Sequence, residues 1–208
     1  MPLRRPTRVS DLDGRTRCPW ATGAMGSDHA LMLDYHDREW GRPLRGHTAM
    51  FERMMLEAFQ SGLSWLIILR KRENFRRAFA GFDIETVAGF TERDAARLMA
   101  DTGIVRNRAK IEAAVTNARV ALDSGVDLSD LLWSYAPAPR ARPATGADVP
   151  AQTPESVALA RELKRRGFRF VGPTTAYALM QATGMVDDHL LDCWVPGSGT
   201  ALVVNRGQ

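Results

Sequence analysis

Residues 161–184 read Arg-Glu-Leu-Lys-Arg-Arg-Gly-Phe-Arg-Phe-Val-Gly-Pro-Thr-Thr-Ala-Tyr-Ala-Leu-Met-Gln-Ala-Thr-Gly, and the two glycines in it, Gly167 and Gly172, bracket a tight turn between helix-forming runs. The first run opens upstream at Thr153-Pro154, a capping residue followed by proline at the first helical position, and stops at Gly167. The second starts at Pro173. Its first-turn N–H groups, from Thr174 onward, have no partner within the helix and sit at the positive end of its dipole, so they suit an anion. Gly172 has no side chain to hold a phosphate away from the backbone. Lys164, Arg165, Arg166 and Arg169 add positive charge around the turn. On the residues alone this is either a phosphate-gripping hairpin or an ordinary helical hairpin with a solvated basic face.

Outward from the hairpin the chain reads as all-α. Phe51, Met54, Met55, Ala58 and Phe59 follow the spacing of one buried helical face, within a helix expected over 48–60. Ile104, Ile111, Val115, Ala118 and Leu122 keep the same period and end near Gly125. Thr91 with Asp94 reads as a capping box, and Gly103 as the stop that follows. Residues 136–150 are rich in Pro and Ala and are expected to be an irregular connection. Cys18 and Cys193 lie on opposite sides of it, which favours one integrated domain over 18–208, preceded by a flexible basic arm at 1–17 carrying Arg4, Arg5 and Arg8.

The chain has 208 residues, 45% hydrophobic and 25% charged, enough for one good core or two small lobes sharing a cleft. No run of apolar residues is long enough to cross a membrane. No apolar stretch follows the basic N-terminus as a secretory signal requires, so the expectation is a cytoplasmic protein, with monomer as the default state. The net charge is +4 and only three of the 28 basic residues are lysines, Lys71, Lys110 and Lys164. Arginine at that excess suits phosphate, because its planar fork binds bidentately.

In a cytosolic chain the two cysteines are either buried thiols or metal ligands. His189 and Cys193 are four apart, which on a helix puts both on one face. Cys18 and His36 could complete a tetrahedral Cys2His2 set, or the four could be unrelated core residues. His29 and His47 read as surface residues. Glu57 falls off the apolar stripe of its helix, where a glutamate is either solvated or functional.

The hairpin resembles the helix-hairpin-helix element of DNA glycosylases, in the longer form found in the 3-methyladenine DNA glycosylase I family of bacteria. Tyr-His-Asp-Arg-Glu-Trp-Gly (35–41), Gly-Leu-Ser-Trp (62–65), Leu-Arg-Lys-Arg-Glu-Asn-Phe (69–75) and Ile-Val-Arg-Asn-Arg-Ala-Lys-Ile (104–111) match the same family in the same order, so the resemblance runs from about Cys18 to Trp194. It implies two helical lobes around a cleft, with the termini tied by one structural zinc ion held by Cys18, His36, His189 and Cys193. It also implies that double-stranded DNA is gripped at Gly172, Thr174 and Arg169, and that 3-methyladenine is flipped out of the duplex and its bond to deoxyribose hydrolysed. In that family Glu57 matches a carboxylate that hydrogen-bonds the exocyclic amine, Trp65 a tryptophan that stacks on the base, and Tyr35 a tyrosine of the pocket. Trp20 is expected in the wall, and Leu63, next to Gly62, as the wedge filling the gap in the base stack. Met32 stands where family members often carry another tyrosine; a thioether still offers soft contact to a cation.

Asp187 departs from the family, which often has Asn there, whereas helix-hairpin-helix enzymes that remove unactivated bases have Asp. It is either a catalytic carboxylate near the substrate or a cap for the segment leading into His189. Three rivals remain on the sequence: a glycosylase/lyase, which needs a lysine where this chain has Pro173 and Thr174; a non-catalytic sensor of alkylated DNA; and a general DNA-binding module, whose affinity would ignore methylation and fall steeply with salt.

Overall fold

A computed structural model describes residues 13–23 and 26–197. The described residues form ten α-helices and two single 3-10 turns, with no strand element among them. The helices are α1 (Pro19–Thr22), α2 (Ser27–Arg38), α3 (His47–Gln60), α4 (Trp65–Ala78), α5 (Ile84–Ala88), α6 (Glu92–Ala100), α7 (Arg108–Asp123), α8 (Leu128–Trp133), α9 (Pro154–Arg166) and α10 (Pro173–Ala182). None of them is long and apolar enough to cross a membrane.

The centre of the molecule is α3, which packs against α4, α7, α8 and α10. Its expected stripe is buried, but so are Met50 and Leu56 on other faces, because neighbours surround it on every side. Off the stripe therefore means interior here, and Glu57, at 5% exposure, is a buried carboxylate rather than a solvated one. The second stripe holds from Ile111 to Ala118 on α7; Ile104 is buried in the loop before it, whereas Leu122 at its end is 47% exposed.

Local signals place the helix ends. Asp83 accepts from the Thr86 N–H at 2.9 Å, Thr91 and Asp94 form the capping box, and the Asn107 side chain accepts from Lys110 N at 3.1 Å. The hairpin forms as its residues dictate. Thr153 caps α9 with Pro154 behind it, and Gly167 ends it at φ 101°, a left-handed geometry where glycine meets no Cβ penalty. The turn is clamped from outside by the fully buried Asn117 of α7, which donates to Arg169 O at 3.0 Å and accepts from Arg169 N at 2.7 Å.

After α10 the chain doubles back as a strap over 183–197 without helical structure. Gly184 makes the reversal possible. Its φ is +72°, and a Cβ there would lie 2.6 Å from the Arg42 backbone carbon. The strap returns to the N-terminal end, where Trp194 N donates to Thr16 O at 2.9 Å, and it is held to the 136–150 connection by Leu191 N donating to Pro143 O at 2.9 Å. Of the expected arm, residues 1–12 lie outside the described residues; Arg17 is held to Asp37 at 2.7 Å and to Asp13 at 2.8 Å. Residues 198–208 also lie outside them.

Candidate functional site

Between α1, α2 and the strap on one side and α3, α4 and α10 on the other lies a cavity of about 750 Å³. Aromatic rings make its walls. Trp20, Tyr35, Trp40 and Trp65 all line it, with Trp20–Trp40 centroids 5.0 Å apart and Tyr35–Trp65 centroids 5.3 Å apart. Met32 and Leu66 add apolar surface. Glu57 also lines the cavity and makes no hydrogen bond among the described residues. Burial pushes its carboxyl up to about 7, with the nearby Arg53 guanidinium pulling the other way.

Two donors near this wall are also unspent. The Trp65 indole N–H is enclosed and has no partner among the described residues. The Tyr35 hydroxyl accepts from Arg53 Nη1 at 2.8 Å, and because a guanidinium only donates, the phenol keeps its own proton for another acceptor. The site thus offers ring faces, one bare carboxylate and the Tyr35 hydroxyl as a donor. A planar nitrogenous ring that carries positive charge or N–H groups, and lone pairs as well, would satisfy all of them.

Behind this wall the four expected metal ligands converge. Cys18, His36, His189 and Cys193 are all buried, and their ligand atoms lie within 4.8 Å of one another. Cys193 Sγ is 3.5 Å from both His36 Nε2 and His189 Nδ1, and Cys18 Sγ is 3.7 Å from His189 Nδ1. The edges of a tetrahedron built on metal–ligand bonds of about 2.0–2.3 Å are roughly 3.3–3.8 Å long, so the donor set fits a tetrahedral metal ion. The outer nitrogens agree. His36 Nδ1 lies 2.7 Å from Asp37 Oδ1 and His189 Nε2 lies 3.2 Å from Trp40 O, so each ring spends its N–H outward and turns a lone pair to the centre. Protons alone satisfy the cluster poorly: the Cys18 thiol is pushed far up by its contact with Cys193 and by burial, while Cys193 is drawn down by the same contact. One expectation is corrected. His189 and Cys193 do not share a helix face; they meet because a turn, closed by Cys193 N donating to Leu190 O at 2.9 Å, brings them together.

The remaining sequence candidates separate clearly. Leu63 and Gly62 form an exposed tip between α3 and α4, with Gly62 at φ +80°. Gly172 caps α10, Thr174 is exposed in its first turn, and Arg169 is exposed beside it. Arg165 and Arg166 pair with Glu162 within 2.7 Å instead of standing free at the turn. His29 is half-buried, and the half-buried His47 accepts the Leu128 N–H at 2.9 Å. Asp187 is corrected as a pocket residue: it is absent from the cavity lining, and its carboxylate accepts from Arg142 Nε at 2.9 Å and from His189 N at 3.3 Å. Its neighbour Asp188 does line the cavity, held by Tyr177, Gln181 and Arg140 at 2.5–2.9 Å. Neither Asp188 nor Arg53 stands out in the sequence, because their partners lie on other elements of the fold.

Among the described residues, all of them in helices, turns and loops, the aromatic cavity with its unpartnered carboxylate suits a flat, nitrogen-bearing ring. The sequence model described as methyladenine glycosylase matches residues 25–196, and the chain belongs to that family. It is 44% identical over 186 residues to a DNA-3-methyladenine glycosylase of Haemophilus influenzae, covering 86% of this chain and 96% of that one. A crystal structure of 3-methyladenine DNA glycosylase I superposes with TM-score 0.80 at 42% identity, over 86% of this chain and 98% of that one. The Staphylococcus aureus 3-methyladenine DNA glycosylase I, solved for the basis of its 3-methyladenine recognition, superposes with TM-score 0.78 at 37% identity, over 85% and 95%.

Proposed function

We propose that this chain repairs alkylated double-stranded DNA by hydrolysing the N-glycosidic bond of 3-methyladenine and leaving an abasic site. One observation carries it: Glu57 is a buried carboxylate with no hydrogen-bond donor among the described residues, set among the rings of an open cavity. Such a group calls for a ligand with N–H groups and positive charge. The relatives are named for 3-methyladenine, and a methylated adenine still attached to its sugar is a cationic ring with an exocyclic amine.

The base is taken out of the stack into the cavity, with Leu63 filling the gap and the α10 N-terminus, Gly172, Thr174 and Arg169 holding the backbone phosphate. Trp65 stacks on the ring, Trp20 and Met32 close the walls, and Tyr35 supplies a donor. Glu57 accepts from the exocyclic amine. Each cation–π contact in a desolvated site contributes roughly 1–2 kcal/mol. The reaction needs no strong acid: the electrons of the breaking bond neutralise the cationic base, water adds to the sugar carbon, and the proton it loses goes to solvent. Asp187 acts as the cap of the metal-bearing turn and not as a catalytic carboxylate.

The Cys18, His36, His189 and Cys193 set holds zinc. Four protein ligands leave no open position, so the ion fastens the strap to the N-terminal segment and activates no water. The enzyme acts as a cytoplasmic monomer. Incubation with methylated duplex DNA, followed by chromatography of the released bases, tests the function: wild type releases 3-methyladenine and Glu57→Ala does not. No release by wild type refutes it.

A further inference from the structure

Arg53 is the group beneath this pocket that the proposed chemistry leaves unused. It sits on α3 one turn before Glu57, is 8% exposed, and is a full charge inside a wall of rings. A buried guanidinium is costly unless its donors are placed, and here they are. Nη1 donates to Tyr35 Oη at 2.8 Å and Nη2 reaches Glu39 Oε2 at 3.5 Å. Its carbon lies 5.4 Å from the Tyr35 ring centroid and 5.5 Å from that of Trp65. One side chain thus touches both rings expected to hold the base and the hydroxyl of one of them.

The consequence for Tyr35 is directional. Its oxygen is occupied as an acceptor by a group that cannot accept, so the phenolic proton must point elsewhere, and among the described residues no protein atom takes it. We propose that Arg53 is a positioning residue, which fixes the Tyr35 hydroxyl as a hydrogen-bond donor toward a ring-nitrogen lone pair of the bound purine. Glu57 and Tyr35 then present opposite polarity to one ligand: an acceptor for its amine and a donor for its ring nitrogen. A purine with an amine and an adjacent bare nitrogen fits this pair, and one with a carbonyl in place of the amine sets an acceptor against Glu57. This inference rests on the proposed function for the identity of the ligand.

A double-mutant cycle tests it, with free 3-methyladenine as the probe, binding followed by tryptophan fluorescence, and base release from methylated DNA measured in parallel. Tyr35→Phe and Arg53→Met each weaken binding by about tenfold, the loss of one hydrogen bond in a desolvated site, and the double variant is no weaker than either alone. Arg53→Lys, which keeps a donor for Tyr35, recovers most of the affinity. If Arg53→Met does not hold its fold in circular dichroism, Arg53→Leu, which likewise has no donor, replaces it in the cycle. Losses that multiply in the double variant overturn the inference while the function stands. A wild type that neither binds 3-methyladenine nor releases it overturns the function, and the inference with it.

Discussion

The imidazoles of His36 and His189 meet edge to face, with centroids 4.7 Å apart and planes at 87°, although one belongs to an N-terminal helix and the other to the C-terminal strap. Crossed in this way, the rings bring Nε2 of one and Nδ1 of the other to the same sulfur, Cys193 Sγ, at 3.5 Å each. The pair also backs the cavity, since Trp40 stands 4.7 Å from the His189 ring and itself lines it. The Cys/His cluster and the pocket therefore share a wall.

Removing one ligand should loosen both. Cys193→Ser is expected to bind less than one tenth of the zinc held by wild type. Losing a ligand from a buried structural site is expected to cost several kcal/mol, a fall in Tm on the order of 10 °C for a domain of this size. Metal analysis and thermal melts check it. An unchanged melt with unchanged zinc content would remove these residues from the ligand set.

Glu57 sets a pH dependence whose sign follows from its burial. Its carboxyl is pushed up to about 7, so the folded protein holds that proton more tightly than the unfolded chain does. The stability it contributes is whole below about pH 4.5 and is lost as pH rises to about 7, by at most about 3 kcal/mol. Glu57→Gln carries no such term. Relative to wild type it should melt several degrees higher at pH 8 than at pH 5. Activity runs the other way, because a cationic base needs the ionised carboxylate: kcat/KM rises through about pH 7 in wild type, and Glu57→Gln shows a low, flat profile. Coincident profiles would separate Glu57 from the chemistry.

Leu63 separates extrusion from recognition. Its side chain is 37% exposed on the tip after α3, so Leu63→Ala should change stability by less than about 0.5 kcal/mol. Base release from duplex DNA should fall by about tenfold or more, whereas free 3-methyladenine binds as before. Equal losses in both assays would place Leu63 within the pocket instead.

The sequence was most legible where backbone geometry demands particular residues. Thr153-Pro154, Gly167 and Gly172-Pro173 mark both ends of the hairpin helices, because caps, left-handed glycines and first-turn prolines are local requirements. Buried polar residues were opaque. Asn117 clamps Arg169, Arg53 holds Tyr35 and Asp188 gathers Tyr177, Gln181 and Arg140, and most of these partners are remote in sequence. Periodicity records which face is apolar and carries no signal for a satisfied polar pair inside. It also could not tell whether Glu57 is solvated or enclosed, since a stripe implies solvent on its far side and α3 has neighbours all round. The spacing of His189 and Cys193 suggested a helix because a turn and a helix can both bring residues four apart together.

Asp187 and Asp188 are adjacent but are expected to fail differently. Asp187 grips Arg142 and the His189 N–H, and Arg142 in turn donates to Val195 O at 2.8 Å, so its carboxylate staples the Pro/Ala-rich connection to the strap just where the Cys/His cluster begins. Asn keeps one acceptor oxygen and loses the charge paired with Arg142. Asp187→Asn should therefore keep base release within about threefold of wild type, lower stability by about 1 kcal/mol, and speed zinc loss to a chelator. Asp188 is fully enclosed and takes three donors at the cavity wall. Asn keeps one acceptor oxygen but sets an amide donor against either Arg140 or the Tyr177 and Gln181 pair and removes the charge that faces Arg140, so Asp188→Asn should destabilise by several kcal/mol and deform the pocket. Single-turnover rates on methylated DNA, measured with melts and chelator-driven metal release, distinguish the two. A rate that collapses in Asp187→Asn while its melt and its metal stay unchanged would make that carboxylate catalytic after all.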